Sequence, residues 1–256
     1  MSEISPWIGI VLAFIFGTCI GSFLNVLIWR LPREQSINGR SQCPNCKHVL
    51  NWLDLFPLVS ILVFRAKCRY CKTKISLRYP LIEVITGVLF AFAWTKFLPM
   101  DFASGLMLTK ALIIIAVCIV VFVIDLEHYL ILDKIVIPAA VLMIIFALVQ
   151  HSYLNLLAGL IGFVPFWGIW ALSKGKWMGF GDAKFVTFMG LALGLSSLGV
   201  SLFLAFGIGA VTGVLLILMG KKDFGSKLPF GTFLAITTIL ALFYGQKLWD
   251  LYWGLL

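Results

Sequence analysis

Charge is what this sequence has least of. Only 12% of its 256 residues are Asp, Glu, Lys or Arg, roughly half the share of an ordinary soluble domain. A chain that is 61% hydrophobic, with a mean hydropathy of +1.05, cannot hide its apolar surface in a soluble core of this size. Soluble classes are therefore excluded. Strict polar–apolar alternation is missing, which excludes an outer-membrane barrel. Histidine is scarce: His48, His128 and His151 are scattered, so a histidine metal site is not expected. There is no glycine-rich nucleotide fingerprint and no internal repeat of the kind that paired transporter halves leave behind.

What is present is a series of long apolar runs separated by short polar stretches, the pattern of an all-α polytopic membrane protein. About eight transmembrane helices are expected, near residues 7–29, 81–98, 106–125, 135–150, 155–173, 185–199, 201–220 and 230–249. Met1 to Pro6 holds Glu3 and no Lys or Arg, so the first run is read as a retained span and not a cleaved signal. The expected division is a first helix (1–30), a small cytoplasmic cysteine domain (31–80) and a transmembrane domain (81–256).

The basic excess is topogenic. With both termini outside, 17 of the 20 Lys and Arg residues fall in the inner segments 30–80, 126–134, 174–184 and 221–229. Only Lys96, Lys110 and Lys247 fall outside. That satisfies the positive-inside rule and allows some attraction to anionic membrane lipid. Nucleic-acid binding is the weaker explanation of the charge.

The segment between the first two spans carries Cys43-Pro-Asn-Cys46 and Cys68-Arg-Tyr-Cys71, two C-x2-C knuckles. Four thiolates at this spacing can close a tetrahedral Zn2+ site, the staple that a loop with little core needs. Disulfides or redox pairs are the alternative, disfavoured on a reducing cytosolic face; iron would also suit four thiolates. Cys19 and Cys118 lie inside apolar runs and are read as small core residues. Asn25 and Arg30 sit near the inner end of the first span, where Gly21 and Ser22 permit close helix packing and Pro32 ends the helix. Glu83 lies about one turn inside the second span and wants a partner.

Two further carboxylates carry the chemistry. Asp125 ends an unbroken apolar run from Ala111, and Asp182 follows Gly179-Phe180-Gly181 with Lys184 two residues on. The eight-span arrangement puts both on the inner face, where two nearby aspartates would share one proton. The ionised member can draw a proton from water while the other donates to a carbonyl oxygen, which is acid–base peptide hydrolysis. The structural alternative is that Asp182 caps a helix opening at Ala183 while Asp125 pairs with Lys134 or Lys184. A proton- or cation-coupled transporter using the same pair as relay groups, or a zinc-stabilised scaffold without chemistry, are the competing functions.

Taken in order, Gly21-Ser22-Phe23-Leu24-Asn25, the paired knuckles, Arg78-Tyr79-Pro80 with Glu83, Ile124-Asp125, Gly179-Phe180-Gly181-Asp182-Ala183-Lys184 and Pro229-Phe230-Gly231 span nearly the whole chain. In this set the sequence resembles the bacterial type IV prepilin peptidases, the GxGD class of membrane aspartic proteases. The resemblance implies that Asp125 and Asp182 are the catalytic pair. It implies an enzyme of the bacterial inner membrane that cleaves the basic leader of prepilins or pseudopilins after a glycine at the cytoplasmic face. Members that keep the cysteine loop also N-methylate the new N-terminal residue from S-adenosylmethionine. Asn25, Arg30 and Glu83 are the candidates for that half-site. Glu127 stands where many members have Asp, and Glu34, Asp54, Glu127 and Asp133 are the acidic groups expected to dock the basic leader.

Overall fold

The computed structural model describes residues 6–43, 45–49, 51, 67–98, 101–223 and 225–255. Among these residues it has eight α-helices: α1 (Pro6–Arg30), α2 (Arg78–Lys96), α3 (Phe102–His128), α4 (Asp133–Val149), α5 (Tyr153–Ser173), α6 (Phe180–Leu193), α7 (Leu195–Leu218) and α8 (Phe230–Gly254). A 3-10 turn, Leu31–Arg33, follows α1, placed by Pro32. No strand occurs among the described residues; two isolated antiparallel bridges, Gln42–Val49 and Lys67–Lys74, lie in the cysteine loop. The expected all-α membrane fold is therefore observed. Asp54, expected to help dock a leader, lies outside the described residues.

Among the described residues five helices are long and apolar enough to cross a bilayer: α1, α3, α5, α7 and α8. At 1.5 Å per residue, α4 with 17 residues and α6 with 14 reach only about 26 and 21 Å, short of a hydrocarbon core of about 30 Å. Eight crossings thus stay an expectation, and five meet the length and composition that a crossing needs. Trp7, Leu154, Phe203 and Leu218 are at least three-quarters exposed. Apolar side chains displayed at this density need lipid around them.

The chain divides into two compact units, Met1–Val120 and Val121–Leu256. In the first, α1 packs on α2 through small residues. A side chain at Gly21 would come within 2.7 Å of Glu83 Cα, and one at Gly17 within 2.8 Å of Gly87 Cα, so the backbones meet as closely as glycine allows. In the second unit the shortest helix is the most enclosed: Ala183, Phe185, Val186, Phe188 and Met189 of α6 are fully buried. Protein on every side compensates for a helix too short to span lipid unaided.

Three sequence expectations need correction. The break between the sixth and seventh runs is at Gly194 and not near residue 200. Gly194 takes φ +78°, ψ 175°, a conformation nearly restricted to glycine, and an apolar run gives no polarity change to mark it. The third helix continues past Asp125 to His128, which puts Asp125 inside the last turn. Cys118 is buried, as expected, whereas Cys19 is exposed on α1. Lipid is as apolar as a protein core, so hydropathy cannot tell which side of a membrane helix faces in.

Candidate active site

Asp125 approaches the end of α3, where its carbonyl accepts the Tyr129 N–H (2.9 Å) and Tyr129 turns to φ +56° to stop the helix. A carboxylate at a helix C-terminus meets the negative end of its own dipole, so something must compensate. That something is the start of α8. Pro229 precedes its first turn, and the Thr232 N–H donates to Asp125 Oδ2 at 2.7 Å. The Thr232 hydroxyl donates to the same oxygen at 3.2 Å, and the Gly231 N–H also faces the carboxylate. Asp125 and Thr232 are each only 5% exposed, so these bonds are made out of competition with water. Gly231 permits this close approach: a Cβ would fall 3.0 Å from Asp125 Oδ2 and 2.7 Å from Ile131 Cδ1.

Asp182 sits in the first turn of α6, three residues after Gly179. Its carboxylate reaches back to the Gly179 N–H, a favourable place for an acid at a positive helix end. The helix opens at Phe180 and not at Ala183 as the capping alternative supposed. A side chain at Gly181 would lie 2.9 Å from Ile131 Cβ, so this glycine lets the turn press against the α3–α4 loop. Phe180 is anchored against Trp170, ring centroids 4.7 Å apart. Asp125 is near enough to act electrostatically on Asp182, and both lie within one unit.

Lys184, one of the two lysines that the structural alternative offered to Asp125, is not its partner. Lys184 Nζ instead donates to both oxygens of Asp133, each at 2.7 Å. Asp133 is thereby occupied, and Glu127 lies 3.9 Å from His128 Nε2. Thr232 is the residue that sequence reasoning missed. Its signal was Pro229-Phe230-Gly231 immediately before it: a helix start supplying free N–H groups near a buried acid.

In the first unit, Cys43, Cys46, Cys68 and Cys71 form a group whose sulfurs all lie within 4.8 Å of one another. All are free thiols, not disulfides. A tetrahedral ion with Zn–S near 2.3 Å requires sulfurs about 3.8 Å apart, and Cys43 and Cys71 are separated by 3.8 Å. The two knuckles share one design. The Cys43 N–H bonds to the His48 carbonyl at 3.0 Å and the Cys68 N–H to that of Thr73 at 2.9 Å. Lys47 and Lys72 both adopt positive φ, 58° and 56°, just after the second cysteine of each pair.

Asn25 and Glu83 are buried on the α1–α2 seam, 4% and 8% exposed. The Asn25 amide nitrogen donates to the carbonyls of Gly21 (3.2 Å) and Tyr79 (3.0 Å). Its Oδ1 is buried without a hydrogen-bond partner, an acceptor that burial makes costly unless a donor arrives. Arg30 is used differently: its guanidinium gathers the carbonyls of Ser36, Ile37, Asn38, Gly39 and Arg40 at 3.0–3.5 Å. It thereby organises the loop leading into the first knuckle.

Comparison with known proteins places both halves. Residues 15–97 match the family model "Bacterial Peptidase A24 N-terminal domain", and residues 112–214 match "Type IV leader peptidase family". A prepilin leader peptidase/N-methyltransferase of Aeromonas hydrophila is 32% identical over 276 residues, covering 95% of this chain and 93% of that protein. The protein of that name from Bacillus subtilis (strain 168) is 33% identical over 243 residues, with 93% and 96% covered. That of Myxococcus xanthus (strain DK1622) is 37% identical over 222 residues, 81% of this chain but 63% of the longer relative. No solved structure matches the chain.

Proposed function

The chain belongs to the type IV leader peptidase family, and from that premise we propose that it cleaves the basic leader of prepilins or pseudopilins after a glycine, using Asp125 and Asp182. The supporting observation is the meeting of these two carboxylates within one unit, with the first turn of α8 donating to Asp125 Oδ2. Asp125, which receives the larger number of donors, is the ionised member, because hydrogen bonds to a carboxylate favour its charged form. Asp182 holds the shared proton. In the reaction Asp125 takes a proton from water as its oxygen attacks the scissile carbonyl, while Asp182 gives its proton to the carbonyl oxygen. The tetrahedral intermediate then collapses. A proton passes to the leaving nitrogen, the C–N bond breaks, and a carboxylic acid and a free α-amine result.

The protein is an inner-membrane protein in this reading, with both termini outside and the cysteine loop and aspartates on the cytoplasmic face. The 17-to-3 distribution of Lys and Arg supports that orientation. A substrate anchored by its own apolar helix would then meet the site without either molecule leaving the bilayer. Both aspartates lie in the terminal turns of helices and not at mid-helix, which favours hydrolysis over the ion-relay alternative.

The four cysteines would hold Zn2+ as a structural ion, supplying the cross-link that closes the 31–80 loop domain. The same chain would N-methylate the amine it has just exposed, S-adenosylmethionine being the source of an electrophilic methyl group. Asn25 and Glu83 are the residues proposed to meet that half-site, the unpartnered Asn25 Oδ1 suiting an N–H donor. Arg30 contributes through the loop whose carbonyls it holds. The test is purified protein in detergent with a prepilin, followed by mass spectrometry of the product. Loss of the leader alone without methyl donor, and leader loss plus one methylene mass with it, is the expected result. An intact prepilin in both conditions would refute the proposal.

A further inference from the structure

The two knuckles are not only similar; they are locked to each other twice, through corresponding positions. Register them so that Cys43, Cys46 and His48 answer to Cys68, Cys71 and Thr73. The residue between the cysteines of one knuckle then meets the residue two places after the second cysteine of the other. Asn45 of the first knuckle donates its amide N–H to Thr73 Oγ1 of the second at 2.7 Å. Tyr70 of the second stacks on His48 of the first, ring centroids 3.6 Å apart at 35°. One latch is polar and the other aromatic, and that difference makes the four sulfurs inequivalent.

The main chain treats the two second cysteines alike: the His48 N–H faces Cys46 and the Thr73 N–H faces Cys71. Among the described residues a hydroxyl and an amide side chain reach Cys71, whereas the side chains bonded to Cys46 are the neighbouring thiols of Cys43 and Cys71. Thr73 Oγ1 lies 3.3 Å from Cys71 Sγ, and Asn45 Nδ2 lies 3.8 Å from the same sulfur. A metal-bound thiolate carries no proton, so with an ion in place the Thr73 hydroxyl must be the donor to sulfur. Its oxygen is then free to accept from Asn45. The chain Asn45 N–H to Thr73 O–H to Cys71 S⁻ is consistent in every donor and acceptor.

We propose that the Asn45–Thr73 latch is the outer-sphere support of the metal site, stabilising the bound Cys71 thiolate and setting how long the ion is retained. His48 is a stacking residue and not a ligand. This inference rests on the metal reading above. Its physical basis is general: hydrogen bonds to a ligating atom damp its charge and fix its direction, and their loss typically costs about 10–100-fold in metal affinity.

The experiment uses the full chain in detergent, its zinc content measured by elemental mass spectrometry and its rate of zinc transfer to a chromogenic chelator followed by absorbance. Thr73→Val and Asn45→Ala are expected to release zinc about tenfold faster or more, Thr73→Ser at the wild-type rate, and His48→Phe at the wild-type rate with full stoichiometry. Cobalt(II) substitution, read by its thiolate charge-transfer and ligand-field bands, checks that the variants still assemble a four-sulfur site. Wild-type release rates in both Thr73→Val and Asn45→Ala would overturn the latch while leaving the metal reading intact. A wild-type chain carrying no zinc would overturn the metal reading and the latch with it.

Discussion

Replacing Thr232 by Val removes one of the two bonds that Asp125 Oδ2 receives from this residue while keeping the side chain's size and branching. The main-chain N–H at 2.7 Å stays, and the hydroxyl at 3.2 Å goes. A hydrogen bond to an ionised acceptor is worth about 1.5–3 kcal/mol. At 3.2 Å this one is beyond the usual O–H···O range, so the lower figure applies. At about 1.4 kcal/mol per decade, cleavage should fall roughly tenfold. Because Thr232 acts through Asp125, the loss should appear in kcat and leave KM near its wild-type value. Thr232→Ser, which restores the hydroxyl, should recover most of the rate. The assay is leader removal from a prepilin under steady-state conditions, with helical content checked by circular dichroism. A Thr232→Val enzyme with wild-type kcat, or a Ser variant as slow as Val, would refute the reasoning.

Other substitutions follow from the same geometry. Gly231→Ala would set a methyl 3.0 Å from Asp125 Oδ2 and 3.1 Å from its Cγ; the carboxylate must give way and loses its alignment with both Thr232 donors, so kcat measured in the same assay should drop by more than in Thr232→Val. Gly194→Ala places a side chain at φ +78°, 2.9 Å from Asn155 Oδ1. That conformation costs about 1–3 kcal/mol, enough to lower the melting temperature in detergent by several degrees at about 2–4 °C per kcal/mol. The pH–rate profile should be bell-shaped, since a second proton on the pair removes the base and loss of the shared proton removes the acid; a profile that only rises or only falls across the stable range would contradict a shared proton.

Much of the architecture was legible because membrane helices announce themselves by hydropathy. All eight apolar runs correspond to helices, and the Lys and Arg distribution is what raised the expectation that Asp125 and Asp182 share one membrane face. The cysteine cluster was legible for a different reason: C-x2-C spacing is local, and each knuckle closes on its own hydrogen bonds. Gly194 was missed because a conformational break inside continuous apolar sequence leaves no polarity signal. Thr232 was missed because its partner is more than a hundred positions away in sequence, and no local pattern encodes which helix start meets which acid. Arg30 was a candidate for the methyl-transfer half-site, yet its guanidinium is spent on five carbonyls of one loop. Such a nest is invisible until the chain is folded. Asp133 looked like a free acid, and Lys184 turned out to hold it.

The central claim is that two aspartates act as one acid–base pair. The measurement that tests it most directly is leader removal by Asp125→Asn and Asp182→Asn, each purified in detergent, shown to be folded by circular dichroism, and incubated with a prepilin to many wild-type half-lives before mass spectrometry. The account predicts full-length prepilin as the only substrate-derived species with either variant. Processed pilin accumulating with either one would contradict it.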